Sequence, residues 1–413
     1  METILDYLKN YGDVPFCRKP FNDVDSLILS QLSYLKFDQL VPSVTQKASF
    51  LPIRELDARK ENGNLFADER YAKDNRELFE EILSGQRFGT IKLNYYVNEI
   101  DIEKETQFSA VTYALEDGGF YVAFRGTDET IVGWKEDFNL AFSKPVRGQL
   151  SSVEYLNFVG KQLKDSFYVG GHSKGGNFAV YASMNCEEKI QDKINRIYSH
   201  DGPGFRPEVM KAEKYEKIAP RIRKIIPHSS MIGMLLESHE DYKVIESKTF
   251  GLMQHNPYTW RVKDDHFMYV DDIYSGRKFM DRTINEWILS LSEEQIRAFI
   301  EVLFTVLEAS DTDNLIDFTA DLKKSMSGVL AAIKEIDEES RKVIGDIIRA
   351  LFEMASERMK REIQCRTEEG LLKLSEKAEE NKEKYQRKAV KNRKIMQEMK
   401  GQKPKKKAVI KNK

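Results

Sequence analysis

The stretch S166-FYVGGHSKGGNFAVYA-S183 decides how the chain is read. Phe167, Tyr168 and Val169 make a short aromatic and β-branched run of the kind that sits buried in a sheet. Gly171, His172, Ser173, Lys174 and Gly175 then spell G-x-S-x-G, with Gly176 behind them. Phe178, Ala179, Val180 and Ala182 follow as a close-packing helix. Strand, glycine-flanked serine and helix are the context in which such a serine is raised on a sharp, strained turn at the top of a sheet. A bare G-x-S-x-G recurs by chance, and its plain alternative is a glycine-rich turn with an idle serine. The flanking strand and helix are what favour an activated Ser173.

The chain around it has 413 residues, long enough for more than one core. At 41% hydrophobic and 32% charged it reads as soluble. Cys17, Cys186 and Cys365 are far apart and odd in number, so neither a disulfide framework nor a metal-ligand spacing follows. No metal or organic cofactor is implied. The opening METILDYLKNYGDVPF has early acids and no apolar h-region, and no run approaches the roughly 18 apolar residues of a membrane span. A cytoplasmic protein is expected.

Taken in order, the chain opens with a helix, and Val24, Leu27, Ile28, Leu32 and Leu35 then form one apolar stripe of a second helix. Residues 55 to about 93 are mixed and polar and read as helical. From Glu105 the pattern turns to sheet: QFSAVTYAL and GFYVAFRG flank a hairpin turn at Glu116-Asp117-Gly118. Residues 152–164 read as the helix leading into the elbow strand. Further strands run through Ile197 and Tyr198 to His200-Asp201-Gly202, through RKIIPHSS to near Ser230, and through KVIES before a loop holding His255. Alternating strands and helices argue an α/β fold with its site at the carboxyl edge of a mostly parallel sheet. Residues 1–280 would form this domain. Residues 281–380 read as an all-helical C-terminal extension, in which Ile296, Phe299, Ile300, Leu303, Phe304 and Leu307 share one face. Residues 381–413 hold 14 Lys or Arg against two Glu, so this tail carries +12 within a chain of net −2, leaving −14 on the rest.

With Phe124-Arg125-Gly126-Thr127 and Gly171–Gly176 read together, the chain resembles the class 3 (fungal-type) lipases. Those pair a strand ending in F-R-G-[ST] with a D-W-x-x-D-like stretch and a G-H-S-x-G-G elbow; here the middle piece is GWKEDF, with Trp134, Asp137 and Phe138. The chain looks closer still to a bacterial family of lipase-like α/β-hydrolases known mainly as a domain of unknown function. The pieces that match are DYLKNYGDVPF, FNDVDSLILSQLSYLKFD, AFRGTDETIVGWKEDFNLAF, GHSKGGNFAVYA, SHDGPGF, SMIGMLLE and QHNPYTW, across about residues 5–275. The resemblance implies an α/β-hydrolase fold and serine chemistry, and leaves the substrate open. It implies Ser173 as nucleophile, Thr127 as an oxyanion-hole residue and the Lys174 backbone N–H as the second donor. Lipases usually have Leu where Lys174 stands. A long cation there is expected at the mouth of the site, favouring an anionic substrate or pointing to solvent.

A serine hydroxyl becomes a nucleophile when a base takes its proton and an oxyanion hole receives the developing charge. The base, a histidine, follows nucleophile and acid in this fold's chain order. Of the six histidines, His172 is the elbow residue and is expected to pack under the turn, and His200 precedes every candidate acid. His228 and His239 flank SMIGMLLE, where the lipases carry their acid. His255 and His266 remain, and the resemblance places the base at His255. The lipase acid is an Asp after the strand that follows the elbow unit; in this chain that place is held by Ser230, which has no charge to offer an imidazolium. Asp201 is the replacement, since some hydrolases of this fold carry the acid one strand earlier; Glu237 is the reserve. A turn-forming aspartate before glycine is the plain alternative for Asp201. Asp128 could brace the oxyanion loop through backbone N–H groups, and Arg125 could bind a carboxylate such as Asp137.

The expectation is a serine esterase acting on small acyl esters or lipids through an acyl-Ser173 intermediate. The rival is a non-catalytic scaffold of the same fold that binds partners through its helical extension and tail. Solvated charge is the default reading of the tail, and contact with an anionic membrane surface is the functional one. PKKKAVIKNK lacks aromatics to stack on bases, which argues against nucleic acid. Oligomeric state is not readable.

Overall fold

A computed structural model describes residues 2–270 apart from 60–64, 68–70, 102, 104–105, 129–132, 134–135, 137–138, 141–144, 207–208, 210–211, 231, 237–240 and 250. The helical extension, the basic tail, Trp134, Asp137, Phe138, Glu237 and His239 therefore lie outside the described residues.

Among the described residues nine strands make one sheet, in the order β1-β2-β3-β4-β5-β6-β7-β8-β11. These are β1 (Leu51–Pro52), β2 (Lys92–Asp101), β3 (Thr106–Ala114), β4 (Phe120–Phe124), β5 (Phe167–His172), β6 (Ile194–His200), β7 (Ile222–Pro227), β8 (Tyr242–Ile245) and β11 (Tyr269–Val270). The two short strands β9 (Val262–Lys263) and β10 (His266–Phe267) pair separately. From β4 to β8 the strands run parallel, whereas β1 to β4 form an antiparallel meander and β11 closes the far edge antiparallel to β8.

The period-two alternation of each strand divides the core between two faces. On β4, Tyr121 and Ala123 join the cluster built with α1 (Ile4–Tyr11), α2 (Asp23–Leu32), α3 (Ile53–Arg59) and α4 (Ala72–Ser84). Val122 and Phe124 point the other way, into α5 (Arg147–Gln162) and α6 (Lys174–Asn185). Helices α7 (Glu188–Gln191) and α8 (Ala212–Ile218) complete the crossovers. Helices on both faces of a sheet with a parallel centre define the α/β-hydrolase architecture expected above.

One local expectation is corrected. Residues 92 and 93, the end of the stretch read as helical, instead open strand β2, which runs on to Asp101. The sheet pairing slips between Asn94 and Val97, where Tyr95 takes a φ of 57°, so a bulge breaks the alternation by which a strand is recognised. The apolar stripe of α2 faces the core as expected, and the rest of the helix is enclosed as well: Val24 through Leu32 are all buried. The helix lies under the sheet, and its polar residues find partners there. Ser30 Oγ meets the Tyr121 hydroxyl at 2.7 Å, Gln31 donates to Asn75 at 2.8 Å and Asp25 pairs with the fully buried Arg87. Truncating Leu27 or Ile28, both 0% exposed, to alanine would cost about 2–5 kcal/mol.

Candidate active site

Strands β4, β5 and β6 end level with one another: Phe124 pairs with Gly171, and His172 with His200. Arg125, Ser173 and Asp201 therefore leave the sheet side by side at its carboxyl edge, where open α/β sheets place their ligands. Ser173 sits at φ 61°, ψ −133°, a conformation costly for any L residue. The flanking glycines make the turn possible. A Cβ on Gly175 would stand 2.1 Å from the Phe124 carbonyl oxygen, and one on Gly171 would stand 2.3 Å from the Gly175 carbonyl carbon. Backbone meets backbone at both positions, so no side chain fits.

The 3₁₀ turn Gly251–His255 brings His255 over this elbow. Its Nε2 lies 2.8 Å from Ser173 Oγ and its Nδ1 2.7 Å from Asp201 Oδ2. A carboxylate only accepts, so Nδ1 carries the proton and Nε2 is left to accept the serine's. Asp201 is fully buried, at φ 51° after β6, and its other oxygen accepts from the Ser230 hydroxyl and, at 3.2 Å, from the Gly233 N–H. Ser173 and His255 are 6% and 8% exposed, so the chain of three is largely shielded from water.

His172 packs under the turn. Its ring centroid is 4.6 Å from that of His255, its Nε2–H donates to the His255 carbonyl at 2.9 Å, and Tyr34 donates to its Nδ1 at 3.2 Å. His266 stands apart, half exposed and bonded to Asp265. His200 is buried on the sheet side with Nε2 on Ser26 Oγ at 2.7 Å, and burial pushes it down to about 3, keeping it neutral. Thr127 is buried two residues beyond Arg125, and a Cβ on the intervening Gly126 would fall 3.1 Å from Ser173 Cβ, so the F-R-G-T turn abuts the elbow.

Lys174 differs from expectation. Its ammonium neither lines the mouth nor reaches solvent. It turns inward to Glu136 Oε2 at 3.0 Å and Gln107 Oε1 at 3.1 Å, with both members of the ion pair essentially unexposed. The interior supplies an anion that the elbow motif does not reveal. The Asp128 carboxylate accepts from Lys36 at 3.1 Å and Arg125 at 3.4 Å, so Arg125 holds a buried carboxylate as expected, and it also donates to Asn98. Glu136, Gln107 and Tyr34 carry no motif and escape a reading of the sequence. Ser230 is visible in it as a missing acid, while its bond to Asp201 is not. Among the described residues no cluster of three His, Cys, Asp or Glu is arranged to hold a metal, and no helix is long and apolar enough to cross a membrane.

A raised serine at the carboxyl edge of a sheet, backed by a histidine and a buried aspartate, defines the class: an α/β-hydrolase fold. Residues 82–305, more than half of the chain, match the family described as Mbeg1-like, and the chain belongs to that family. Among solved structures it is similar to the Rhizomucor miehei lipase propeptide complex, at 18% identity over 38% of this chain and 57% of that one, with a TM-score of 0.29. A lipase from Rhizopus microsporus var. chinensis matches at 16% identity, over 47% of this chain and 78% of that one, with a TM-score of 0.32. Lip2 lipase from Yarrowia lipolytica matches at 14% over 46% and 76%, with a TM-score of 0.30. This chain thus spans less than two thirds of the Rhizomucor structure's length. No curated protein matches it.

Proposed function

We propose that the protein is a serine hydrolase that cleaves carboxylic esters of small acyl compounds or lipids. The observation that carries this reading is the unbroken hydrogen-bond chain Ser173–His255–Asp201 on a strained turn. A scaffold would need neither the alignment nor the strain. In the proposed reaction Ser173 Oγ attacks the ester carbonyl while His255 Nε2 takes its proton. The carbonyl π pair moves to oxygen, and Thr127 and the Lys174 N–H receive that charge. The tetrahedral adduct collapses, the alkoxide leaves with the proton from Nε2, and acyl-Ser173 remains. Water, deprotonated by the same nitrogen, repeats the sequence and releases the acid and free serine. Asp201 holds Nδ1–H throughout and steadies the imidazolium. The basic tail would hold the enzyme at an anionic lipid surface.

The test is labelling with a fluorophosphonate probe, in wild type beside Ser173→Ala and His255→Ala. Labelling of wild type that vanishes in both variants is expected. A folded wild type that does not label would move the reading to the scaffold.

A further inference from the structure

The elbow lysine turns into the interior, into a cluster that joins β3, α5 and the turn after Thr127. Lys174 Nζ donates to Glu136 at 3.0 Å and Gln107 Oε1 at 3.1 Å, with the Gly133 carbonyl at 3.5 Å. Glu136 uses both oxygens: Oε1 accepts from the Gly148 N–H of α5 at 2.8 Å, and Oε2 also accepts from the Gln107 N–H at 3.0 Å. Gln107 Oε1 in turn accepts from the Asp128 N–H at 3.4 Å, the peptide directly after Thr127. One side-chain oxygen therefore touches the ammonium of Lys174 and the backbone beside Thr127, which are the two residues read above as the arms of the oxyanion hole. Gly133 permits the approach, since a Cβ there would sit 2.3 Å from Gln107 Oε1 and 2.7 Å from Thr127 Cγ2.

A buried ion pair is an inefficient way to gain stability, because well-packed apolar side chains of similar volume often serve as well. What such a pair supplies is direction: a fixed distance between the groups that bond to it. Oxyanion donors act only when preorganised at hydrogen-bond distance from where the charge develops. We propose that Lys174, Glu136 and Gln107 are positioning residues that fix the spacing of the Thr127 arm and the Lys174 N–H arm. Their influence on rate passes through that spacing rather than through contact with substrate. The inference rests on Ser173 being the nucleophile.

The experiment compares wild type, Lys174→Met, Lys174→Met/Glu136→Met and Gln107→Ala in hydrolysis of p-nitrophenyl butyrate and in fluorophosphonate labelling. Active sites are counted from the labelling endpoint, and urea midpoints report folding. The double variant leaves no unpaired buried charge and Gln107→Ala removes none, so both remain informative where Lys174→Met alone fails to fold. Expected is a fall in kcat per labelled site of roughly ten- to a hundredfold, with KM changed by less than about threefold and labelling slowed in parallel. A double variant and Gln107→Ala that retain wild-type kcat per labelled site would overturn the proposal and reduce the cluster to a folding role. In that outcome wild type still labels through Ser173. A wild type that neither labels nor hydrolyses overturns the nucleophile reading itself, and this inference with it.

Discussion

The hydroxyl of Ser230 donates to Asp201 Oδ1, the carboxylate whose other oxygen holds His255. Ser230 stands where class 3 lipases are expected to carry their own acid, and in this chain that position supports a carboxylate arriving from the neighbouring strand. The arrangement is self-consistent. Two carboxylates at this spacing would repel, and one would take up a proton, whereas a hydroxyl beside one carboxylate stabilises its charge. The Gly233 N–H adds a second donor to the same oxygen, 3.2 Å away.

Replacing Ser230 with alanine leaves a fully buried carboxylate oxygen short of one donor. The expected cost is about 1.5–3 kcal/mol of stability, the usual worth of a hydrogen bond to a charged group, read from urea unfolding. Hydrolysis should fall mildly, because Gly233 still holds the acid. Asp201→Asn should behave oppositely, folding well but losing roughly 10⁴-fold in kcat, since the amide stabilises the wrong imidazole tautomer. Equal kcat losses in the two variants would mean that the acid has been misassigned.

At the elbow the backbone itself is the constraint. Gly175→Ala would place a methyl 2.1 Å from the Phe124 carbonyl, so strand β4 and helix α6 would have to part. Gly118, at φ +88° in the β3–β4 turn, has nothing within 4 Å of its would-be Cβ. Gly118→Ala should therefore cost only the left-handed penalty of about 1–2 kcal/mol. Gly175→Ala should yield little soluble, labelling-competent protein. Comparable yields of the two variants would contradict the packing described here.

The difference between these two glycines also marks what a linear reading can reach. Ser173, His255 and Asp201 were each nameable because they stand just beyond a strand or in a loop whose place in the chain order is set by the fold. Local rules also located β3, β4 and β5, which read as apolar runs bounded by turn signals. Strand β2 was out of reach because the bulge at Asn94–Val97 interrupts its period. The inward course of Lys174 was out of reach because its partner Glu136 lies 38 residues upstream, and nothing in the GWKEDF stretch marks that acid as the one that turns inward. Long-range pairing, rather than propensity, supplied what the sequence withheld.

The tail suggests a test that does not depend on catalysis. Residues 381–413 carry +12 against −14 on the remainder. At roughly 1 kcal/mol per basic residue near an anionic surface, a fraction of these charges suffices for binding at low salt. Full-length protein should co-sediment with phosphatidylserine-containing vesicles, and release should follow as salt shortens the Debye length. Deletion of 381–413 should abolish sedimentation while leaving fluorophosphonate labelling intact. Undiminished binding after the deletion would remove the tail from any membrane role.

The last prediction concerns acid. His200 is fully buried, its Nε2 faces Ser26 Oγ and its Nδ1 has no partner, so an imidazolium there would have neither water nor a carboxylate to meet. Desolvation lowers it from 6.5 to about 3. A base with a lowered folded value binds fewer protons in the folded state than in the unfolded one. Its contribution is therefore complete above pH 6.5 and is lost as pH falls from 6.5 towards 3. Between pH 7 and pH 5 the loss should be about 2 kcal/mol from this residue alone. His200→Gln, which has no proton to gain, should show a correspondingly shallower fall in urea stability over that interval, whatever its absolute stability. Parallel pH curves for the two proteins would show that His200 is accessible to protons in the folded state.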